Sequence, residues 1–138
     1  MMGGRTRSEI ARMVGRAILG AFFATVGVQH FTETQAFVEI VPPWLPWPVE
    51  LVWLSGVFEI LGGVGLIVPP VRGWAGVGLL WLLVAVYPAN IHMAINDVPF
   101  QGYLLPWWGH LIRLALQFVL MGWVVWAAEL RSHGSRLR

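Results

Sequence analysis

The chain has 138 residues, the size of a single domain, and its composition excludes an ordinary soluble protein. Hydrophobic residues make up 57% of the chain and charged residues only 12%, whereas soluble domains carry roughly 25% charged residues. The mean hydropathy is +0.68. Because a small soluble domain buries only part of its surface, it has no room for this much apolar area. The composition therefore predicts a protein that lies largely in lipid.

The charged residues narrow the function classes further. The formal net charge is +2, and all nine basic residues are arginines that do not spread along the chain, so we expect no nucleic-acid partner. Cysteine is absent, which excludes thiol catalysis, disulfides, and zinc or iron–sulfur sites with cysteine ligands.

Four apolar segments predict the fold. They run over residues 10–28, 49–68, 73–95 and 104–128, and each is close to the ~20 residues that cross a bilayer core. We therefore expect an all-α fold, a four-transmembrane-helix bundle forming one domain over residues 1–138, with a basic tail at 129–138. The first segment has no small-residue cleavage site after it and is expected to be a retained span.

Arginine placement predicts the orientation of the bundle. The arginines that flank the spans lie before or at the start of the first span, in the turn between the second and third, and after the fourth. The other two connections carry Glu33, Glu39, Glu50 and Asp97 and no arginine. By the positive-inside bias, both termini are expected to be cytoplasmic. We expect an integral protein of the bacterial cytoplasmic (inner) membrane.

The connections carry their own signals. The stretch TETQAFVEIV predicts a short interfacial helix capped by Thr32 or Thr34. The stretch PPWLPWP at 42–48 cannot be helical and is expected to lie extended, with Trp44 and Trp47 as interfacial anchors. Small residues in the first three spans predict close helix contacts, which are typical of membrane bundles.

Two charged residues lie near the middle of their apolar spans. Glu59 lies within the second span and Arg113 within the fourth. A lone charge of either kind costs about 2.5–3.5 kcal/mol at mid-membrane, so both are expected to face the bundle interior. Counting residues places them at the same depth, which predicts a Glu59–Arg113 ion pair. Two interpretations stay open: a structural pair that fixes helix register, or part of a ligand or proton site.

Other polar residues collect in the same, outer half of the predicted bundle. Pro88 is expected to free the carbonyl of Val84 and to tilt Asn90 inward. The candidate ligand-binding or polar-core residues are His30, Ser55, Glu59, Asn90, His92, His110, Arg113 and Gln117.

Three interpretations remain open for His30, His92 and His110. Imidazole suits zinc, copper and haem iron, but the three histidines lie on different spans and show no recognised ligand spacing. We therefore predict no metal site and no intrinsic cofactor. The alternatives are interfacial hydrogen bonding and contact with a substrate or another small molecule.

Several motifs together resemble the DoxX-like family of small four-helix integral membrane proteins. They are GVQHF, IVPPWLPWP, SGVFEILGGVGLIVPPVR, YPANIHMAI and RLALQ, and the resemblance covers roughly residues 13–127. Relatives in that family include the membrane subunit of a thiosulfate:quinone oxidoreductase and a maturation factor for methylamine dehydrogenase. The resemblance implies a polar core of His30, Glu59, Asn90, Arg113 and Gln117.

The resemblance leaves two functions open, and it does not decide whether the protein is an enzyme, since one fold hosts several roles. The first is a redox-associated subunit that binds a quinone, with electrons supplied by a membrane or redox protein partner or by a second substrate. The second is a non-enzymatic assembly or stability partner of other membrane proteins, with glycine-rich faces as its docking surface. The bilayer is the partner common to both, and a homo-oligomer is compatible with either.

The predicted orientation is testable because the chain has no cysteine of its own. A single cysteine at Glu39 should react with a membrane-impermeant maleimide added to intact spheroplasts, whereas one at Arg7 should react only after lysis. Labelling of Arg7→Cys in intact cells would contradict the orientation.

Overall fold

The computed structural model describes residues 4–130 and contains four long helices and one short one. The helices are α1 (Arg7–Thr32), α2 (Thr34–Val38), α3 (Pro48–Ile67), α4 (Arg72–Ile95) and α5 (Trp107–Ala127). A 3₁₀ turn, Pro69–Val71, joins α3 to α4. α1, α3, α4 and α5 are long and apolar enough to cross a membrane. The prediction of an all-α fold with four spans is confirmed, and we describe the chain as an integral membrane protein.

The helix ends differ from the predicted ends where local chemistry decides them. α1 continues past Val28 to Thr32, because its last turn contains no proline or glycine to stop it. α5 begins at Trp107 rather than at residue 104, since Pro106 is its extended N-cap and disfavours helix in the residue before it. Residues 131–138, which include most of the predicted basic tail, lie outside the described residues.

The connection between α1 and α3 contains the predicted short helix without the predicted cap. The N-cap of α2 is Glu33, and no side chain caps this helix. Thr34 instead donates its hydroxyl to the carbonyl of His30 at 2.8 Å, which closes the end of α1. Residues 42–47 of the proline-rich stretch are non-helical as predicted, but Pro48 begins α3, because proline fits the first turn of a helix. The backbone N–H of Leu45 donates to the carbonyl of Pro42 at 3.0 Å, so the stretch turns and is not extended.

The long helices form an antiparallel ring. α1 packs on α3, α3 on α4 and α4 on α5, while α5 meets α1 over a smaller area. α3 and α5 therefore lie across the ring from each other. We call the end where α1 begins and α5 ends the arginine end, because Arg12, Arg16 and Arg72 lie there. The opposite end, with α2 and the 96–106 connection, is the loop end.

Glycines allow α1 and α3 to touch backbone to backbone. A Cβ atom on Gly63 would lie 2.6 Å from the carbonyl oxygen of Gly20, and one on Gly27 would lie 2.7 Å from that of Gly56. α3 and α4 also pack closely near the arginine end, where a Cβ atom on Gly65 would lie 2.6 Å from the Cβ atom of Ala75. The predicted role of the small residues is confirmed at these contacts.

The arginine end is closed by polar contacts and by the main apolar core. Arg12 pairs with Glu129, and Arg16 donates its Nε to the carbonyl of Ala127 at 2.7 Å, which ties α1 to the end of α5. The buried core is Leu19, Phe23, Leu66, Leu79, Leu83, Val124, Ala127 and Ala128. Most of it lies in the arginine half of the bundle, so the helices are less tightly filled toward the loop end.

Substituting Gly63 with alanine should destabilise the bundle. The new methyl group would meet the backbone of α1, and overpacking of this kind costs about 1–3 kcal/mol. Gly122→Ala is the matched control, because a Cβ there meets nothing within 4 Å. Thermal unfolding of both variants in mild detergent checks this. Equal melting temperatures for the two variants would show that the α1–α3 contact is not tight.

Candidate functional site

A cavity of about 690 Å³ lies inside the helix ring, toward the loop end. Side chains of α1, α3, α4 and α5 form its walls, and most of these side chains are apolar, including Phe23, Val52 and Leu82. Phe37 of α2 and Pro42 of the following connection cover it at the loop end. Its volume falls within the range of about 300–1,000 Å³ that is usual for small-molecule sites.

The cavity gathers six of the eight polar residues that the sequence singled out: His30, Ser55, Glu59, Asn90, Arg113 and Gln117. The other two are placed elsewhere. His92 holds the side chain of Asn96, with Nδ1 and Nδ2 2.9 Å apart. His110 is buried, with its Nε2 3.6 Å from Asp97 and without a hydrogen bond. Neither histidine lines the cavity.

Glu59 lies beside His30 and not beside Arg113, so the predicted Glu59–Arg113 ion pair is wrong. The Oε2 atom of Glu59 is 3.0 Å from Nδ1 of His30, and the carbonyl oxygen of Val26 is 2.8 Å from the same nitrogen. Nδ1 carries one proton, and its geometry favours the carbonyl. Oε2 is therefore buried without a hydrogen bond.

The register of α1 and α3 explains this partner. Gly27 faces Gly56, and His30 and Glu59 each follow three residues later on helices that run in opposite directions. Side chains lean toward the N-terminus of their own helix. The two side chains therefore lean toward each other along the helix axis. Arg113 is on α5, across the ring from α3, so equal depth did not bring it into contact with Glu59.

Arg113 instead begins a chain of hydrogen bonds that alternates between α5 and α4. It donates to Oδ1 of Asn90 at 3.3 Å, Asn90 donates to Oε1 of Gln117 at 2.6 Å, and Gln117 donates to the carbonyl of Leu83. The direction of each bond fixes the orientation of both amides. We call Arg113, Asn90 and Gln117 the Arg113 network. The last acceptor is the carbonyl of Leu83. The next residue is Val84, whose carbonyl we expected Pro88 to free.

The guanidinium of Arg113 has donor capacity left for another group. Apart from Asn90, its partners are the sulfur of Met93, at 2.6 Å, and the ring of Phe100, 5.6 Å from Cζ. Thioether sulfur is a weak acceptor. Among residues 4–130, no carboxylate lies within 4 Å of Arg113. Arg113 is thus a partly buried cation that lines the cavity and has no carboxylate partner among those residues.

Two aromatic residues that the sequence did not single out link the two sides of the site. The ring of Phe37 stacks on His30 with centroids 3.9 Å apart, and it meets Phe100 edge to face at 5.2 Å. Phe100 in turn lies against Arg113. The sequence offers only a weak signal that these two residues belong to the site, because they are apolar residues in otherwise polar connections. Only the fold brings them together beside the cavity.

The arrangement offers two kinds of polar partner across one apolar space. On the α4–α5 side, Arg113 donates hydrogen bonds, and on the α1–α3 side Glu59 accepts them. A buried acceptor without a partner costs about 1–3 kcal/mol, so a bound group that donates to Glu59 would recover part of that cost. Within the described part of the chain, no three His, Asp or Glu side chains come together as a metal site requires. The geometry favours binding of an organic molecule by hydrogen bonds.

Double-mutant cycles distinguish the observed partners from the predicted pair. Asn90→Ala and Gln117→Ala should be non-additive in unfolding free energy, with a coupling of about 0.5–3 kcal/mol, because the two side chains share a hydrogen bond. Glu59→Gln and Arg113→Gln should couple less strongly, because they make no direct contact. Chemical denaturation in detergent measures both cycles. A larger coupling for Glu59 with Arg113 would restore the ion pair.

Comparison with known proteins identifies the family of the chain but no individual relative. No curated protein and no solved structure matches the sequence significantly. One family model, described as a domain of unknown function (DUF8561), matches residues 19–129. This segment contains every residue of the cavity wall. Since the match covers most of the sequence, the chain belongs to the DUF8561 family.

Proposed function

We propose that this protein is a DoxX-like, redox-associated subunit of the bacterial cytoplasmic membrane that binds a quinone-type molecule in its cavity. Both termini face the cytoplasm in this proposal, so the loop end lies at the outer surface. The observation that carries the proposal is an apolar cavity that is bordered by two polar groups. Glu59 has a buried oxygen without a hydrogen bond, and Arg113, among the described residues, has no carboxylate within 4 Å.

A quinone fits this chemistry in both of its redox forms. Its ring is apolar on both faces, like the walls of the cavity, and it carries two oxygen atoms at opposite ends. In the oxidised form, a carbonyl oxygen accepts a hydrogen bond from Arg113. In the reduced form, a hydroxyl group donates to the free Oε2 of Glu59, which has no other hydrogen-bond partner. The protein binds and orients the molecule, and electrons come from a partner protein or from a second substrate.

Supporting residues keep both polar groups in place. Asn90 and Gln117 tie Arg113 to the backbone of α4, and the ring of His30 stands between Glu59 and Phe37. Groups held by such contacts lose little freedom when a ligand binds, so pre-organisation favours affinity. Ser55 lines the cavity one turn from Glu59 and offers a further hydroxyl.

The alternative of an assembly partner receives less support from the geometry. We expected glycine-rich faces to serve as its docking surface, but Gly20, Gly27, Gly56 and Gly63 are used inside the bundle, between α1 and α3. A close external partner would have to use other positions. The cavity and its oriented polar groups have no role in that alternative.

Native mass spectrometry of the detergent-purified protein tests the quinone proposal. The wild type should retain a quinone, and Arg113→Leu should retain at least about tenfold less, because one charge-assisted hydrogen bond contributes on this scale. His92→Leu is the matched control, because His92 lies near the loop end outside the cavity.

Three outcomes are informative in this experiment. Loss in Arg113→Leu with retention in His92→Leu supports the proposal. Equal retention in all three proteins would remove Arg113 from the site. Absence of a quinone from the wild type, also after addition of a long-chain quinone to the lipid, would overturn the proposed function.

A further inference from the structure

α3 and α4 contact each other closely near the arginine end, and both helices border the cavity. Near that end the two helices are packed closely, with Gly62 against Leu79 and Gly65 against Ala75. Beyond the contact of Gly65 with Ala75, residues of both helices line the cavity. They include Phe58 and Leu54 on α3 and Gly78, Trp81, Leu82 and Ala85 on α4.

Three of the large side chains among them also have high exposed fractions. Leu54 is 52% exposed, Phe58 51% and Trp81 72%. A Cβ atom on Gly78 would meet nothing within 4 Å, so the space beside it is empty. A side chain that both lines a cavity and lies on the outer surface marks an opening. We call the opening framed by Leu54, Phe58, Gly78 and Trp81 the α3–α4 portal.

The portal lies at the depth of the hydrocarbon. Gly78 and Trp81 are six and nine residues past Arg72, the first residue of α4, which places them roughly 9 and 14 Å from its start at 1.5 Å per residue. Phe58 and Leu54 lie roughly 14 and 20 Å from the end of α3 by the same rise. The hydrocarbon core is about 30 Å thick, so the portal opens toward acyl chains rather than toward water.

In contrast to the portal, the loop end of the cavity is covered by side chains. Pro42 is almost fully buried and Ile40 is 7% exposed. The rings of Phe37 and Phe100 lie between His30 and Arg113 over the cavity. A molecule that arrives from water would have to displace this cover, whereas one that arrives from lipid meets an opening.

We propose that the cavity is loaded sideways from the bilayer through the α3–α4 portal, and that its ligand is an amphiphile with a long apolar tail. The polar head reaches the Arg113 network and Glu59, and the tail lies in the portal between Phe58 and Trp81. This inference rests on the proposed function, because it takes the head to be a quinone-type ring. It adds the route of entry and assigns the tail a binding surface of its own.

Narrowing the portal tests this inference. Gly78→Leu places a side chain in the empty space beside the portal, and Gly122→Leu is the matched control, since Gly122 is equally free of neighbours and does not line the cavity. Two probes are compared in nanodiscs: a benzoquinone with a long isoprenoid tail and the same ring without a tail. Wild type should bind the tailed probe at least about tenfold more tightly at equal total concentration, because the tail concentrates the probe in the bilayer beside the portal.

The expected result is selective. Gly78→Leu should weaken binding of the tailed probe by about tenfold or more, because the new side chain takes the space of the tail, and leave the tail-less probe unchanged. Gly122→Leu should bind both probes as the wild type does. Phe58→Trp narrows the portal from the other helix and should give the same pattern, which keeps the test available if Gly78→Leu does not fold.

The results that overturn the inference differ from those that overturn the proposed function. If both portal variants bind the tailed probe like the wild type, the tail does not lie in the portal, so the inference falls while the quinone proposal stands. If both probes weaken equally, the variants distort the cavity, and the tail has no site in the portal. If the wild type binds neither probe, both proposals fall.

Discussion

The backbone contact between α1 and α3 is the constraint on which the rest of the bundle depends. Gly20 against Gly63 and Gly27 against Gly56 bring the two helices closer than any larger side chain would permit. In lipid, helices gain little from the hydrophobic effect, so such close van der Waals contact is a main source of association. The contact also fixes the register that sets His30 beside Glu59.

Close packing on one side leaves the opposite side of the ring less filled. α5 is tied to α1 at the arginine end by Arg12, Arg16 and Glu129, and most of the buried core lies there. Because the helices are held together at the arginine end, they enclose space toward the loop end. The cavity is thus a consequence of where the glycines and arginines lie, and each of α1, α3, α4 and α5 contributes at least one polar residue to its wall.

Both the Arg113 network and Glu59 are polar groups inside an apolar bundle, but they differ in how completely they are hydrogen-bonded. In the Arg113 network, hydrogen bonds run from the guanidinium of Arg113 through two side-chain amides to the carbonyl of Leu83. Both amides therefore have partners inside the bundle. Glu59 keeps one oxygen without a hydrogen bond. Since buried polar groups are normally satisfied, an unsatisfied acceptor at a cavity wall is a mark of a binding site more than of a stable core.

Composition, span lengths and proline positions determined the class of this protein by themselves, because each acts through local chemistry or through the cost of polar groups in lipid. The sequence also identified Glu59 and Arg113 as interior groups for the second reason, along with four other polar residues of the cavity. It paired these two wrongly, because residue counting gives depth along a helix but not the order of helices around the ring. Only the tertiary structure decided that α3 and α5 lie opposite, that His30 leans to Glu59, and that Phe37 and Phe100 meet above the cavity.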